Sequence, residues 1–211
     1  MADFNKIAQA VVKGSEAEVR QLTQAAIDEG TQTDEIIYDG LIKGMNIIGE
    51  KWRAGEYFIP EVLIAARAMK IGMGLIIPLP GKEIKSIGTI VMGTVQGDIH
   101  DIGKNLVILM MEAAGFKVVD LGTNVEKEAF VKSAKDNQAS LVGLSALLTT
   151  TMGNMEEVIS EFEESGIRSH VRIMVGGAPI NQEFADSIRA DAYAENASFA
   201  VEKAKELLGT N

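Results

Sequence analysis

Apolar residues recur at helical spacing through the first 78 positions and then in short unbroken runs, and this change of period divides the chain in two. Ile36, Ile37, Leu41, Met45 and Ile48 lie near one face of a helix, and Leu63, Ala66, Met69 and Met73 do so again after Pro60. Ser15, with Glu18 three residues on, forms a capping box ahead of VRQLTQAAI, and Gly30 offers a stop. Four amphipathic helices packed as a small bundle are expected. PLPGKEIKS, residues 78–86, holds two prolines and a glycine that suit neither a helix nor a sheet interior. A linker is therefore expected over 79–86, between a helical bundle over 1–78 and a second domain over 87–211.

In that second domain IGTIVMGTV, FKVVDLG, SLVGLS, VRIMVGG and DAYAE alternate with helical segments such as NLVILMMEAAG and NMEEVISEFEESG. The runs are rich in Val, Ile and Leu and lack polar alternation, as strands covered on both faces do. Five strands separated by helices predict an α/β fold, a doubly wound parallel sheet of Rossmann-like or flavodoxin-like type. Such sheets bind ligands beyond the carboxyl ends of their strands. QGDIHDIG after the first strand, SALLTTT after the third and GGAP after the fourth are the segments at that edge.

Composition narrows the chemistry. The 211 residues are 46% hydrophobic and 24% charged, an ordinary globular balance. Thirty acidic against twenty basic residues give a net charge of -10, and no basic cluster is present, so nucleic acid is not an expected partner. No apolar stretch is long enough to span a bilayer and no leader pattern opens the chain, which reads as cytoplasmic. The absence of cysteine excludes disulfides, thiolate metal sites and cysteine nucleophiles. His100 and His170 are the only imidazoles.

His100 lies in GDIHDIGKN, residues 97–105. A phosphate-binding loop would need four residues between its glycines and a Ser or Thr after the lysine. Here five separate Gly97 from Gly103, Asn105 stands in the last place, and Asp98 and Asp101 would repel an anion. An ordinary zinc or iron site on Asp98, His100 and Asp101 lacks a further converging ligand. His170 is expected at the amino end of the fourth strand, on the wrong edge, as a surface histidine. A polar loop histidine bonded to a neighbouring aspartate is the plainest reading of His100 by residue type.

Asp98, His100 and Gly103 spell D-x-H-x-x-G, Ser145 and Leu147 spell S-x-L, and Gly176 and Gly177 follow, each group at the end of an expected strand. This three-part pattern resembles that of cobalamin-binding domains. GDIHDIGKN and GLSALLTTTM are similar to the corrinoid proteins of methyltransferase systems and to the corresponding module of methionine synthase. GEKWRAGEYFIPEVLIAARAMK resembles their helical cap, so the likeness spans nearly the whole chain.

The resemblance implies a cobalamin or related corrinoid bound base-off, with His100 as the lower cobalt ligand, Asp98 as its partner and Ser145 as the next member of the relay. Gly97, Ile99, Asp101 and Gly103 belong to the same loop, where Gly103 lets it approach the corrin, and Asp101 offers a cap for the following helix. Leu147, Thr149, Gly176 and Gly177, with Ala197 beyond, would line the slot for the displaced nucleotide tail. Trp52, Ile59 and Val62 would shield the upper face of the cobalt.

The implied activity is methyl carriage, with cobalt cycling between cobalt(I) and methylcobalt(III). The implied partners are a substrate-specific methyltransferase, a folate- or thiol-dependent second methyltransferase and a reductive activator protein. The chain would be a shuttle, inactive alone. A cobalamin-dependent sensor is the alternative, though such proteins usually append a basic DNA-binding segment. A mutase module or a cofactor-free interaction module are further rivals.

Overall fold

The structure is a computed structural model that describes residues 2–76 and 86–210. The linker expected over 79–86 lies outside the described residues apart from Ser86. The chain divides into two compact units, one of helices and one built on a sheet.

In the helical unit, α1 (Phe4–Val12) starts at Asp3, whose carboxylate accepts from the Lys6 N–H at 3.1 Å. Ser15 caps α2 (Glu16–Asp28) by accepting from the Glu18 N–H at 3.4 Å, and Gly30 takes the chain away at φ 75°. A short α3 (Thr33–Glu35) runs through a π-helical stretch, Ile36–Ile42, into α4 (Lys43–Arg53). Ile36, Ile37, Leu41, Met45 and Ile48 are all buried. The spacing of four from Ile37 to Leu41 to Met45 suits the wider π turn, which keeps these side chains on one face.

The last helix of this unit, α5 (Ile59–Ile76), buries Ala66 and Met69 of the expected stripe but not Leu63. Val62, Ala65, Ala66, Met69, Gly72 and Ile76 are inside, Met73 is half-buried, and Leu63 is 42% exposed. Close approach decides this. A Cβ at Gly72 would stand 2.7 Å from Leu41 Cδ2 and 3.1 Å from Val19 Cγ1, so the face of small residues admits its neighbours and the bulkier Leu63 is turned out.

The other unit alternates strands and helices: β1 (Thr89–Thr94), α6 (Ile102–Ala113), β2 (Lys117–Asp120), α7 (Lys127–Asp136), β3 (Leu141–Ser145), α8 (Asn154–Glu164), β4 (Arg172–Gly176), α9 (Gln182–Ser187), β5 (Ala192–Ala194) and α10 (Ala197–Leu208). All neighbouring strands pair in parallel in the order β2-β1-β3-β4-β5, the flavodoxin-like arrangement of a doubly wound sheet. Register places Val91 beside Val142 and Val142 beside Ile173. Their side chains share a core with Leu144 and Val175 of the sheet, Phe130 of α7 and Phe162 of α8. The order in which strands are added reverses at β1, which has β2 on one side and β3 on the other, and doubly wound sheets bind ligands beyond the carboxyl ends of their strands at such a switch point.

Candidate functional site

The chain leaves β1 at Thr94, turns through Gly97 at φ 82° and enters α6 at Ile102. Between these points Asp98 is fully buried. A buried carboxylate is tolerated only when donors meet its oxygens. Asp98 Oδ1 accepts from the His100 N–H at 3.0 Å and lies 2.7 Å from His100 Nδ1. Its Oδ2 accepts from the Leu147 N–H at 2.8 Å, the Leu148 N–H at 3.2 Å and the Thr151 hydroxyl at 2.8 Å. One side chain thus ties the loop after β1 to the loop after β3 across the switch point.

Burial by itself would raise the Asp98 carboxyl, but the donors of Leu147, His100 and Thr151 outweigh it and hold the group well below the usual carboxylate range. An ionised carboxylate only accepts, so the imidazole carries its proton on Nδ1, and in the neutral ring the lone pair is on Nε2. The His100 side chain is 46% exposed. Its backbone is held as well, because the buried Thr94 hydroxyl donates to the His100 carbonyl at 2.9 Å.

Apolar side chains are exposed on the same two loops and the start of α6: Ile99 at 75%, Ile102 at 86%, and Leu147 and Leu148 at 44% and 41%. Gly103, in the first turn of α6, has no positive φ, and a Cβ there would meet nothing within 4 Å. Among the described residues, neither backbone conformation nor contact accounts for a glycine at that position. Among the described residues no group of three His, Asp or Glu side chains could hold a metal ion. A half-exposed imidazole, an apolar rim and a bare glycine fit a flat macrocycle that brings its own equatorial ligands.

The remaining expected residues divide. Asp98 and His100 pair directly. Ser145 does not join them: its carbonyl accepts from the Val95 N–H, and among the described residues the hydroxyl on Asp98 is that of Thr151. This corrects the relay expected from the sequence. Ser145 still closes β3 in register with Thr94 and Gly176, whereas Thr151 lies six residues further, where the loop folds back over Asp98. In the run Thr149, Thr150, Thr151 the first two are exposed and only the third is buried, a distinction that three identical side chains in a row do not carry.

Asp101 is exposed and accepts from the Asn105 carboxamide at 3.0 Å, so its carboxylate braces the first turn of α6 through a side chain. Gly176 ends β4, and Gly177 follows at φ 134°, where a Cβ would run into the Ala146 carbonyl. Ala197 is buried at the start of α10, beyond β5. Both glycines and Ala197 therefore lie at the carboxyl edge, and Gly177 is required by the chain's own packing. Trp52, Ile59 and Val62 belong to the helical unit. Ile59 is 49% exposed and Trp52 half-buried, while Val62 is fully buried in the α5 stripe. His170 is exposed in a turn before β4, at the amino edge.

Residues 88–202 match a family described as a B12 binding domain, and residues 3–77 match a second family with the same description. Over 213 residues the chain is 44% identical to a corrinoid protein of Desulfitobacterium hafniense (strain Y51), covering 99% of both chains. It is 46% identical to dimethylamine corrinoid protein 3 of Methanosarcina acetivorans, covering 99% of this chain and 100% of that one. Among solved structures, the methanol:cobalamin methyltransferase complex MtaBC from Methanosarcina barkeri aligns with a TM-score of 0.89 and 33% identity, over 99% of this chain and 80% of that chain. A cobalamin-binding protein from Desulfitobacterium hafniense DCB-2 aligns with a TM-score of 0.82 and 31% identity, over 98% and 99%. The chain belongs to the B12-binding corrinoid proteins of methyltransferase systems, and its cofactor is cobalamin or a related corrinoid.

Proposed function

We propose that this chain carries a methyl group between a substrate-specific methyltransferase and a second methyltransferase, on a corrinoid bound base-off with His100 as the lower axial ligand. The observation that carries the reading is the pairing of a half-exposed imidazole with a fully buried carboxylate, 2.7 Å from Nδ1, at the sheet's switch point. When bound, the corrinoid supplies a cobalt able to accept and release the methyl group.

The chain's own residues do the rest. Asp98 keeps Nδ1 protonated and the ring oriented, so that Nε2 is the nitrogen offered to the metal. The Thr151 hydroxyl and the Leu147 N–H hold Asp98 ionised, which keeps it an acceptor for the Nδ1 proton of the imidazole. Gly103 keeps the start of α6 low beneath a flat ligand, and Ile99, Ile102, Leu147 and Leu148 cover apolar ring edges. Gly176, Gly177, Thr149 and Ala197 flank a route for the nucleotide tail along the carboxyl edge. Trp52 and Ile59 are the helical unit's candidates for excluding water from the upper face. Val62, packed in its own bundle, acts there only by supporting α5.

Relatives named for dimethylamine and trimethylamine and the methanol complex support a methylated amine or methanol as the donor on the first partner. A folate- or thiol-dependent methyltransferase serves as the acceptor's partner, and a reductive activator protein completes the cytoplasmic system. Among the described residues no helix is long and apolar enough to cross a membrane.

The test is reconstitution with hydroxocobalamin followed by absorption spectroscopy of wild type and His100→Ala. Wild type should retain a corrinoid with the spectrum of an imidazole-ligated, base-off species. His100→Ala should lose that spectrum and transfer no methyl group when supplied with both methyltransferases. A wild-type protein that retains no corrinoid would sink the reading.

A further inference from the structure

The loop that carries His100 is also gripped from its other side, by a residue that no motif contains. Asn124 lies in the loop between β2 and α7 with φ at 54°, a left-handed conformation that few side chains other than Asn tolerate. In that conformation its two hydrogen-bonding groups reach the same stretch of backbone. Its N–H donates to the Asp98 carbonyl at 2.8 Å, and its side-chain oxygen accepts from the Gly97 N–H at 2.7 Å.

Gly97 is itself at φ 82°, so the tight turn leading into Asp98 has its N–H and its next carbonyl bound by one residue. The grip extends the pairing of β1 with β2 beyond the strands. Thr94 N–H donates to the Gly122 carbonyl at 3.0 Å, and Val125 N–H donates to the Thr94 carbonyl at 3.0 Å. On the far side, Asn154 at the start of α8 donates from its carboxamide to the Gln96 carbonyl at 2.7 Å.

We infer that Asn124 is a positioning residue for the axial ligand: by fixing the Gly97–Asp98 turn it sets where the Asp98 carboxylate, and through it the His100 imidazole, stands. The role rests on His100 serving as the cobalt ligand. Asn124 touches neither His100 nor the ligand's place directly. Its effect travels through one bond to the Gly97 N–H and one to the Asp98 carbonyl, and from there through the Asp98 carboxylate to the ring.

The experiment uses the full chain and hydroxocobalamin as the probe. Asn124→Gly keeps access to the left-handed conformation and removes the carboxamide, and Asn124→Asp keeps a side-chain acceptor for the Gly97 N–H. Asn124→Gly should weaken hydroxocobalamin binding roughly 10-fold, the scale of lost support around a metal ligand. It should also weaken the imidazole nitrogen splitting in the electron paramagnetic resonance of the reduced, cobalt(II) form. Asn124→Asp should restore most of both.

In a His100→Ala background, Asn124→Gly should change affinity less than twofold. An equal loss in both backgrounds would mean that Asn124 serves the fold alone and would overturn the role. So would wild-type affinity and splitting in Asn124→Gly. A wild type that binds hydroxocobalamin without imidazole splitting would instead remove His100 as ligand, and the positioning role with it.

Discussion

A carboxylate taken out of water needs a donor for each lone pair, and Asp98 finds donors on both loops of the crevice. Removing it as Asp98→Ala leaves the Leu147 N–H and the Thr151 hydroxyl without their charged acceptor, a cost of about 2–4 kcal/mol in the apo protein. Because the folded-state carboxyl lies below its unfolded value, its contribution is fully present above the unfolded pKa, about 3.9. It is lost only as pH falls through the lower folded value. The stability difference between wild type and Asp98→Ala in urea should therefore shrink as pH falls below about 4; a difference that stays constant from about pH 5 to about pH 2 would contradict this account. The relay gives a second prediction at this scale. Thr151→Val should weaken hydroxocobalamin binding roughly 10-fold and Ser145→Ala less than twofold, read by spectral titration, since the Thr151 hydroxyl reaches Asp98 at 2.8 Å and that of Ser145 does not. The local pair of Asp98 and His100 was legible because two positions of one loop suffice to form it. Thr151 was not, because its partner is 53 residues away.

Helices and strands followed the sequence wherever period alone decides them. Ser15 caps α2 and each of the five apolar runs became a strand of the sheet. On α5 period held for Ala66 and Met69 and failed for Leu63, which is turned out while Val62 beside it is buried. Packing of this kind leaves little room for a methyl group. A Cβ at Gly44 of α4 would stand 2.6 Å from Val11 Cβ and 2.8 Å from the Ala8 carbonyl of α1. Gly44→Ala should destabilise the apo protein by about 1–3 kcal/mol. Gly74→Ala, in α5 where a Cβ meets nothing within 4 Å, should stabilise it by about 0.5–1 kcal/mol. Denaturant unfolding of the two variants checks the pair, and equal shifts would mean that helix propensity outweighs contact in this unit.

For the molecule as a whole, a ligand that binds only the folded chain stabilises it by mass action. At free hydroxocobalamin one hundred times its dissociation constant the gain is about 2.7 kcal/mol. Calorimetry should show the unfolding transition rise in wild type and rise far less in His100→Ala at the same concentration. A wild-type transition that stays in place at saturation would show that binding is not tied to the native fold. The sequence by itself determined the change of period, the five strands, the exclusion of thiolate chemistry, and the motif whose histidine stands beside an aspartate. These are local properties, set by spacings of two to four residues along one element. Tertiary structure decided that Thr151 and not Ser145 meets Asp98, that Val62 and not Leu63 is buried, and that Asn124 holds the turn before the histidine. Each of those depends on segments far apart in the chain, brought together by strand register or helix approach, where displacement by a single residue would present a different side chain.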